Sequence, residues 1–209
     1  MIYNHNWLRY EVLLLKRILK TILIFVTVDI NTFFVKTIFR LLNVKYGKKL
    51  KVSGKLFVRN NGAFKIGDNV TINSNVSANP SGGPYKSVLV VARGASMTIG
   101  NNVGVSGMCA VAQNSITIEN DVMIGSGCCI YDTDFHSLQF EHRMNKPDMH
   151  IKTKPVKICK GAFIGARSII LKGVTIGENS VIGAGSIVTK NVPENEIWAG
   201  NPARFIKKI

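Results

Sequence analysis

The sequence predicts a mainly β chain wound as a parallel β-helix of hexapeptide repeats and entered through an N-terminal α-helical segment. Three observations predict it. An aliphatic residue recurs at every sixth position from Ile158 to Val188 without a miss. Small or β-branched residues recur four places after each of these. Helical periodicity is confined to the beginning of the chain, residues 1–46.

In that first segment Leu8, Val12, Leu15, Leu19, Ile22 and Val26 share one helical face, and Arg9, Lys16 and Lys20 share another. The spacing predicts an amphipathic helix. Asp29 and Asn31 offer a break and a fresh N-cap, so a second short helix is expected over Phe33–Leu42, with Gly47 marking the exit. Lys16, Arg17 and Lys20 interrupt the apolar run 12–28. Its longest uncharged stretch, Thr21–Val28, falls far short of the roughly 20 apolar residues a bilayer crossing needs. No A-x-A-like cleavage site follows, so no cleaved signal peptide is expected. Two roles stay open: packing on the main domain or a neighbouring subunit, or resting on an anionic membrane surface through the basic stripe.

From residue 47 the character changes. Ile158, Ile164, Ile170, Ile176, Ile182 and Val188 keep the hexad, and Ala162, Ser168, Val174, Ser180, Ser186 and Val192 stand four places on. The same register appears earlier with interruptions. Ile66 and Ile72 bring Val70 and Val76; Ile99, Val105 and Val111 bring Val103, Cys109 and Ser115; Ile118, Ile124 and Ile130 bring Val122, Cys128 and Asp134. Each short strand turns an aliphatic residue inward, and Gly, Asn or Asp makes the corner because these residues tolerate unusual dihedrals. Three hexads close one triangular coil. No coil buries its own face, so stability comes from stacking. Two stretches break the register: Asn79–Tyr85, which is turn-rich, and residues 137–155, which are polar and aperiodic. The expected organisation is a helical segment 1–46, a β-helix 47–192 with an extruded loop 137–155, and a tail 193–209. A long loop on a rigid solenoid is a natural functional element.

The formal net charge of +15 is uneven. Residues 1–59 hold 12 Lys/Arg against Glu11 and Asp29, leaving +10 at that end. This favours a local surface role over a nucleic-acid-binding body. The four cysteines form no C-x-x-C pair, and each falls in the repeat pattern. They read as small, reduced residues in or near the core, which fits a cytoplasmic location. No P-loop, G-x-S-x-G or dinucleotide-binding glycine motif is present.

The run from Ile164 to Ile209, IGARSIILKGVTIGENSVIGAGSIVTKNVPENEIWAGNPARFIKKI, resembles the C-terminus of hexapeptide-repeat acetyltransferases. The nearest groups are the maltose/galactoside acetyltransferases and the acetyltransferases of bacterial surface-polysaccharide clusters. The likeness continues through Ile116–Leu138 and covers roughly residues 47–209, leaving the N-terminal helices outside it. The resemblance implies a left-handed β-helix and a homotrimer with active sites between adjacent subunits. It also implies acetyl-CoA as co-substrate, with no metal, and a carbohydrate acceptor.

Acetyl transfer to a sugar hydroxyl needs a base, and a neutral histidine can take the proton as the oxygen attacks an already activated thioester. His5 lies in the N-terminal tail, and His142 and His150 lie in the extruded loop. His136 stands where the last regular strand before the loop ends, at the position of the family's catalytic histidine. Two residues earlier, Asp134 would point the same way in an extended segment, either to orient His136 or to bond backbone amides at the corner. The family's donor-contacting positions match Ala166, Ala184, Thr189, Lys190 and Arg204. Lys207 stands where some relatives have arginine. Trp198 is a candidate to stack on adenine or simply to pack. Ser106, near an acceptor-binding asparagine of the galactoside-type enzymes, and Asp132 are candidates to meet sugar hydroxyls.

The expected function is therefore O-acetylation of a surface glycan or its precursor in the cytoplasm, with the inner membrane face as a further place of contact. Three rivals stand beside it. One is N-acetylation of a nucleotide-linked amino sugar. Another is a zinc enzyme using His136, His142 and His150. The third is a non-catalytic β-helix scaffold.

Overall fold

A computed structural model describes residues 5–145 and 147–209, with side chains described for all of these except 5–12, 20–27 and 81. The chain opens with one helix, α1 (His5–Leu41), and then winds six coils of three short parallel strands each. In chain order the coils are β1 (Lys45–Tyr46), β2 (Lys51–Gly54), β3 (Phe57–Asn60); β4 (Ala63–Ile66), β5 (Thr71–Ser74), β6 (Val88–Val91); β7 (Ser96–Ile99), β8 (Gly104–Ser106), β9 (Cys109–Ala112); β10 (Ser115–Ile118), β11 (Met123–Ile124), β12 (Cys129–Tyr131); β13 (Val156–Ile158), β14 (Phe163–Ile164), β15 (Ile169–Ile170); and β16 (Thr175–Ile176), β17 (Val181–Ile182), β18 (Ile187–Val188). A terminal hairpin, β19 (Glu196–Gly200) and β20 (Ala203–Lys208), closes the far end. First strands stack only on first strands, second on second and third on third, giving three parallel sheets.

Inside, the inward-facing residues, nearly all aliphatic, form three ladders. The first runs Tyr46, Ile66, Ile99, Ile118, Ile158, Ile176. The second runs Val52, Ile72, Val105, Ile124, Ile164, Ile182, and Trp198 caps it. The third runs Val58, Leu89, Ala110, Ile130, Ile170, Val188. From Ile158 to Val188 every hexad aliphatic is fully buried, and so are the six residues four places on. Burying one such side chain is worth roughly 1.5–3 kcal/mol, so the ladders are the main favourable term.

The register differs from the sequence expectation in two places. Val111 faces outward and Ala110 takes the inward position, because the step from Val105 in the third coil is one residue short. Val76 is exposed, since the excursion through Asn79–Tyr85 begins there and Val88 restarts the third sheet. The corners show why asparagine recurs. Lys49, Asn69, Asn102, Asp121, Asn179 and Asn195 hold φ between 55° and 61°. Asn69 Nδ2 donates to Asn102 Oδ1 at 3.0 Å, and Asn102 Nδ2 donates to Asp121 Oδ1 at 2.8 Å, so the left-handed corner is also a hydrogen-bonded column.

The N-terminal expectation of two helices is corrected. Asp29 and Asn31 lie inside a single helix. Residues 5–41 contain neither Gly nor Pro, and the propensity cost of one Asp or Asn is only about 0.7 kcal/mol, too small to break it. The helix ends at Asn43, with φ +53°. There Val44 N–H bonds to Phe39 C=O at 2.8 Å and Asn43 N–H to Arg40 C=O at 3.2 Å, the double bond of a Schellman motif. Its last turns cap the first coil. Val35 and Phe39 are buried, and the Phe39 ring stands 5.9 Å from Tyr46 and 6.4 Å from Phe64. The Thr32 hydroxyl accepts from Val52 N–H at 2.9 Å and donates to Val52 C=O at 3.3 Å. Leu15 and Leu19, expected on one apolar face, are exposed, as are Leu13, Leu14 and Ile18. The expectations for Leu8, Arg9, Val12, Lys20, Ile22 and Val26, and for the His5 side chain, lie outside the described residues.

Residues 137–155 leave the solenoid after β12 and return before β13, without disturbing the first-sheet register of Ile118 to Ile158. They hold a short helix, α2 (Phe140–Met144), and Thr133 bridges Thr153 antiparallel at their root.

Candidate active site

Strand β12 delivers the chain to the site, and its end is more tightly turned than an extended segment. Asp132 is fully buried: Oδ1 accepts from Gln113 N–H at 2.8 Å and Oδ2 from Asn114 N–H at 2.7 Å. Burial raises its carboxyl above the usual aspartate range, and these amides pull it back. Asp132 therefore holds a corner together and presents no oxygen to an acceptor, contrary to the sequence expectation. Thr133 then donates its hydroxyl toward Gln113 Oε1 at 3.4 Å and accepts from Phe135 N–H at 3.1 Å.

Phe135 has φ +61°, unusual for an aromatic residue, and His136 N–H bonds to Asp134 C=O at 2.7 Å. This tight bend replaces the expected extended geometry, so Asp134 and His136 are linked through backbone. Among the described residues no side-chain hydrogen bond joins them. The Asp134 carboxylate instead receives Lys172 Nζ at 2.7 Å on Oδ1, while Oδ2 is buried without a partner. The Phe135 ring packs edge-on to Tyr131 at 5.0 Å, which fixes the bend from outside.

The bend leaves His136 exposed at the mouth of the loop. Asp148 crosses to accept Ser137 N–H at 2.7 Å. That bond, joined by one from His150 N–H at 3.3 Å, holds its carboxyl below the usual range. Arg143 donates to the carbonyls of Ser137 and Leu138 at 2.9 and 3.2 Å, tying α2 to the same spot. His142 and His150 stack at 3.8 Å beside a cavity of about 320 Å³ lined by Ser137, Leu138, Gln139 and Lys152. Among the described residues no group of His, Cys, Asp and Glu is arranged to hold a metal ion.

The donor candidates fall into two groups at opposite ends of the third-sheet strands. Leu171 N–H bonds to Val188 C=O at 3.1 Å, which sets Lys172 and Thr189–Lys190 on successive coils at the His136 end. At the other end Ala166 and Ala184 stack at a corner. Gly185 N–H bonds to Ala166 C=O at 2.8 Å, and a Cβ on Gly165 would stand 2.5 Å from Ala184 N, so only glycine fits there. Arg204 pairs across the terminal hairpin with Ala199, which covers Gly183. Lys207 pairs with Ile197. It lies three residues further along β20, about 10 Å at strand spacing, and is not beside Arg204. Exposed cations and small residues at a strand edge suit the phosphates and amide-rich arm of CoA. Trp198 packs half-buried on the core, its Nε1 bonding to Glu196 Oε2 at 2.7 Å. Ser106 faces outward on the second sheet, where Asn73 Nδ2 donates to its hydroxyl at 3.5 Å, and it lies on a different sheet from β12.

Two features escaped sequence reasoning. Lys172 is the ion partner of Asp134. Ile130 pairs with Ile170, so Lys172 stands one coil over Asp132, but residues 137–155 hide that offset in the sequence. On the outer face of the third sheet, Cys109 and Cys129 are register partners, and the Tyr131 hydroxyl reaches Cys109 Sγ at 3.9 Å. The hydrogen bond from Cys109 brings the Cys129 thiol down to about 6, while burial pushes Cys128 up to about 11. All four cysteines are free.

Comparison with known proteins gives consistent results. Residues 155–190 match the family model described as the hexapeptide repeat of succinyl-transferase. WbbJ of Escherichia coli K12, named for lipopolysaccharide-biosynthesis O-acetyl transfer, is 30% identical over 158 residues, which are 73% of this chain and 75% of WbbJ. A Schizosaccharomyces pombe protein named as an acetyltransferase is 44% identical over 94 residues, 45% of this chain and 44% of its own length. Thus the chain spans under half of that relative. Among solved structures, a variant of AntD, an N-acyltransferase from Bacillus cereus in complex with dTDP and coenzyme A, superposes with TM-score 0.62 at 26% identity, covering 78% of this chain and 83% of AntD. The polysialic-acid-specific acetyltransferase NeuO superposes with TM-score 0.53 at 29% identity, covering 78% and 73%.

Proposed function

The chain belongs to the hexapeptide-repeat acetyltransferase family, with its left-handed β-helix, and from that premise we propose that it moves an acetyl group from acetyl-CoA to a hydroxyl of a surface glycan or its precursor. The observation that carries the reading is the strained bend at Phe135, which presents His136 at the mouth of a loop and next to the Lys190 end of the third sheet. In this reading His136 takes the proton of the acceptor hydroxyl as its oxygen attacks the thioester carbonyl. The C–O bond forms, the C–S bond breaks, and the CoA thiolate leaves and recovers that proton. Lys190 and Arg204 receive the donor phosphates, and Ala166, Ala184 and Thr189 leave the strand edges open to the pantetheine arm. Asp134 and Lys172 brace the bend. Ser106 is the proposed acceptor contact. It reaches the reaction from a neighbouring copy in a homotrimer, which the half-exposed apolar outer face of the third sheet (Val90, Val111, Ile169, Leu171, Ile187) supports. Four free cysteines and use of acetyl-CoA fit the cytoplasm.

The likeness to WbbJ and NeuO supports an O-linked glycan acceptor. The likeness to AntD, bound to dTDP and coenzyme A, supports the second reading, N-acylation of a nucleotide-linked amino sugar. Calorimetric titration with acetyl-CoA and CoA tests the donor side. Binding in the micromolar range that weakens at least about tenfold in Lys190→Ala/Arg204→Ala is expected from the loss of two phosphate contacts. No binding by the folded protein would sink the acyltransferase reading. On the acceptor side, a base-labile product indicates the ester and a stable one the amide.

A further inference from the structure

Helix α1 presents a face that none of the described residues covers. Its inner face, through Thr32, Val35 and Phe39, seals the first coil. Its outer face carries Ile30, Phe33, Phe34, Ile38 and Leu41, exposed by 43–77%, with the Phe33 and Phe34 rings edge to face at 6.0 Å. A contiguous apolar patch of this kind marks an interaction site. Toward the N-terminus Leu13, Leu14, Leu15, Ile18 and Leu19 are exposed as well, with Lys16 among them.

We propose that this face of α1, with the lysine-lined cleft beside it, docks the protein on an anionic lipid bilayer. The cleft lies between α1 and the first coil, has a volume of about 470 Å³, and is lined by Lys36, Lys49 and Lys51 against one carboxylate, Asp29. Phe33 lines its rim as well as belonging to the apolar face, so the apolar and cationic surfaces are continuous. That pairing is what an interfacial helix requires: rings and aliphatics enter the acyl boundary while ammonium groups meet headgroup phosphates. Among the described residues no helix is long and apolar enough to cross a membrane, and an in-plane helix needs no such length. A second copy is a poorer occupant. Bringing two such faces together would oppose Lys36, Arg40, Lys49 and Lys51 of one copy with those of another, in a chain of formal charge +15. The proposal is independent of the transfer chemistry, since none of these residues belongs to the candidate active site.

Flotation of the full-length protein with vesicles of phosphatidylcholine alone, or of phosphatidylcholine with phosphatidylglycerol, tests it. The protein should partition at least about tenfold more onto the anionic vesicles at low salt, with the preference shrinking as salt rises. Phe33→Ser/Phe34→Ser should lower partitioning onto both, and Lys36→Glu/Lys49→Glu/Lys51→Glu should erase the anionic preference, each keeping the circular dichroism spectrum and acetyl-CoA binding of the parent. Equal partitioning onto both vesicle types, or indifference to both variants, would overturn the proposal. So would a change in oligomeric mass on Phe33→Ser/Phe34→Ser, which would assign the face to a second copy. Displacement by inorganic phosphate, beyond that by chloride of matched ionic strength, would make the cleft a site for a soluble phosphate instead.

Discussion

Lys172 reaches from the fifth coil to Asp134 at the end of the fourth, Nζ to Oδ1 at 2.7 Å, and leaves Oδ2 of the same carboxylate buried with no partner. The pair ties the root of the loop to the coil above, and through the Asp134 carbonyl it supports the bend that carries His136.

Removing only the cation should therefore be worse than removing both charges. Lys172→Met leaves the whole carboxylate unpaired and should cost roughly 3 kcal/mol of stability, less whatever the residual exposure of the site returns. Lys172→Met/Asp134→Asn should recover most of that. Urea unfolding of the three proteins decides the matter. A double variant no more stable than the single one would show that the pair does not hold the bend.

His136→Ala should lower acceptor-dependent release of CoA by about 10²–10⁴-fold, the usual contribution of a positioned general base. Acetyl-CoA affinity should stay within a few-fold, because no donor-contacting candidate lies on the bend. Near-parent turnover would remove His136 from the chemistry.

Cys129 carries the lowered thiol and Cys128 the raised one, the first through the Cys109 hydrogen bond and the second through burial. Cys129 also stands beside Ile169 on the face proposed to meet a neighbouring copy. Iodoacetamide should therefore modify Cys129 ahead of Cys128, and more slowly in the assembled protein than after dissociation, as read by peptide mass spectrometry. Modification of Cys128 first would overturn the thiol order, and equal rates in both states would take Cys129 off the interface.

The Glu119–Lys157 bridge, 2.7 Å long, should make a small pH-dependent contribution. The bond from Lys157 lowers the Glu119 carboxyl, so its stabilisation is present above the unfolded glutamate value and is lost as pH falls through the lower folded one. The difference in melting temperature between the parent and Glu119→Gln should thus be visible at neutral pH and vanish in acid. A difference that persists in acid would point to packing of the Glu119 side chain.

The solenoid was legible wherever the hexad ran unbroken, because from Ile158 to Val188 the period alone decides which side chain faces inward. It failed at Val111, where one residue is missing from a coil and the spacing offers no warning. It failed again at Asp29 and Asn31, whose weak intrinsic preference yields to a helix already held by Phe39 and Thr32 against the first coil. His136 could be singled out from its place at the end of a strand. The grip on its backbone could not, since Phe135 carries no mark of a left-handed conformation. Lys172 comes close to Asp134 only through coil stacking across residues 137–155.

Those same residues leave and rejoin the chain at one point, closed by the bridge between Thr133 and Thr153, while the strands on either side keep their register. The loop thus behaves as a detachable cartridge. Its length and composition can drift, or be exchanged for those of a relative, with little consequence for the stacking of the coils on either side.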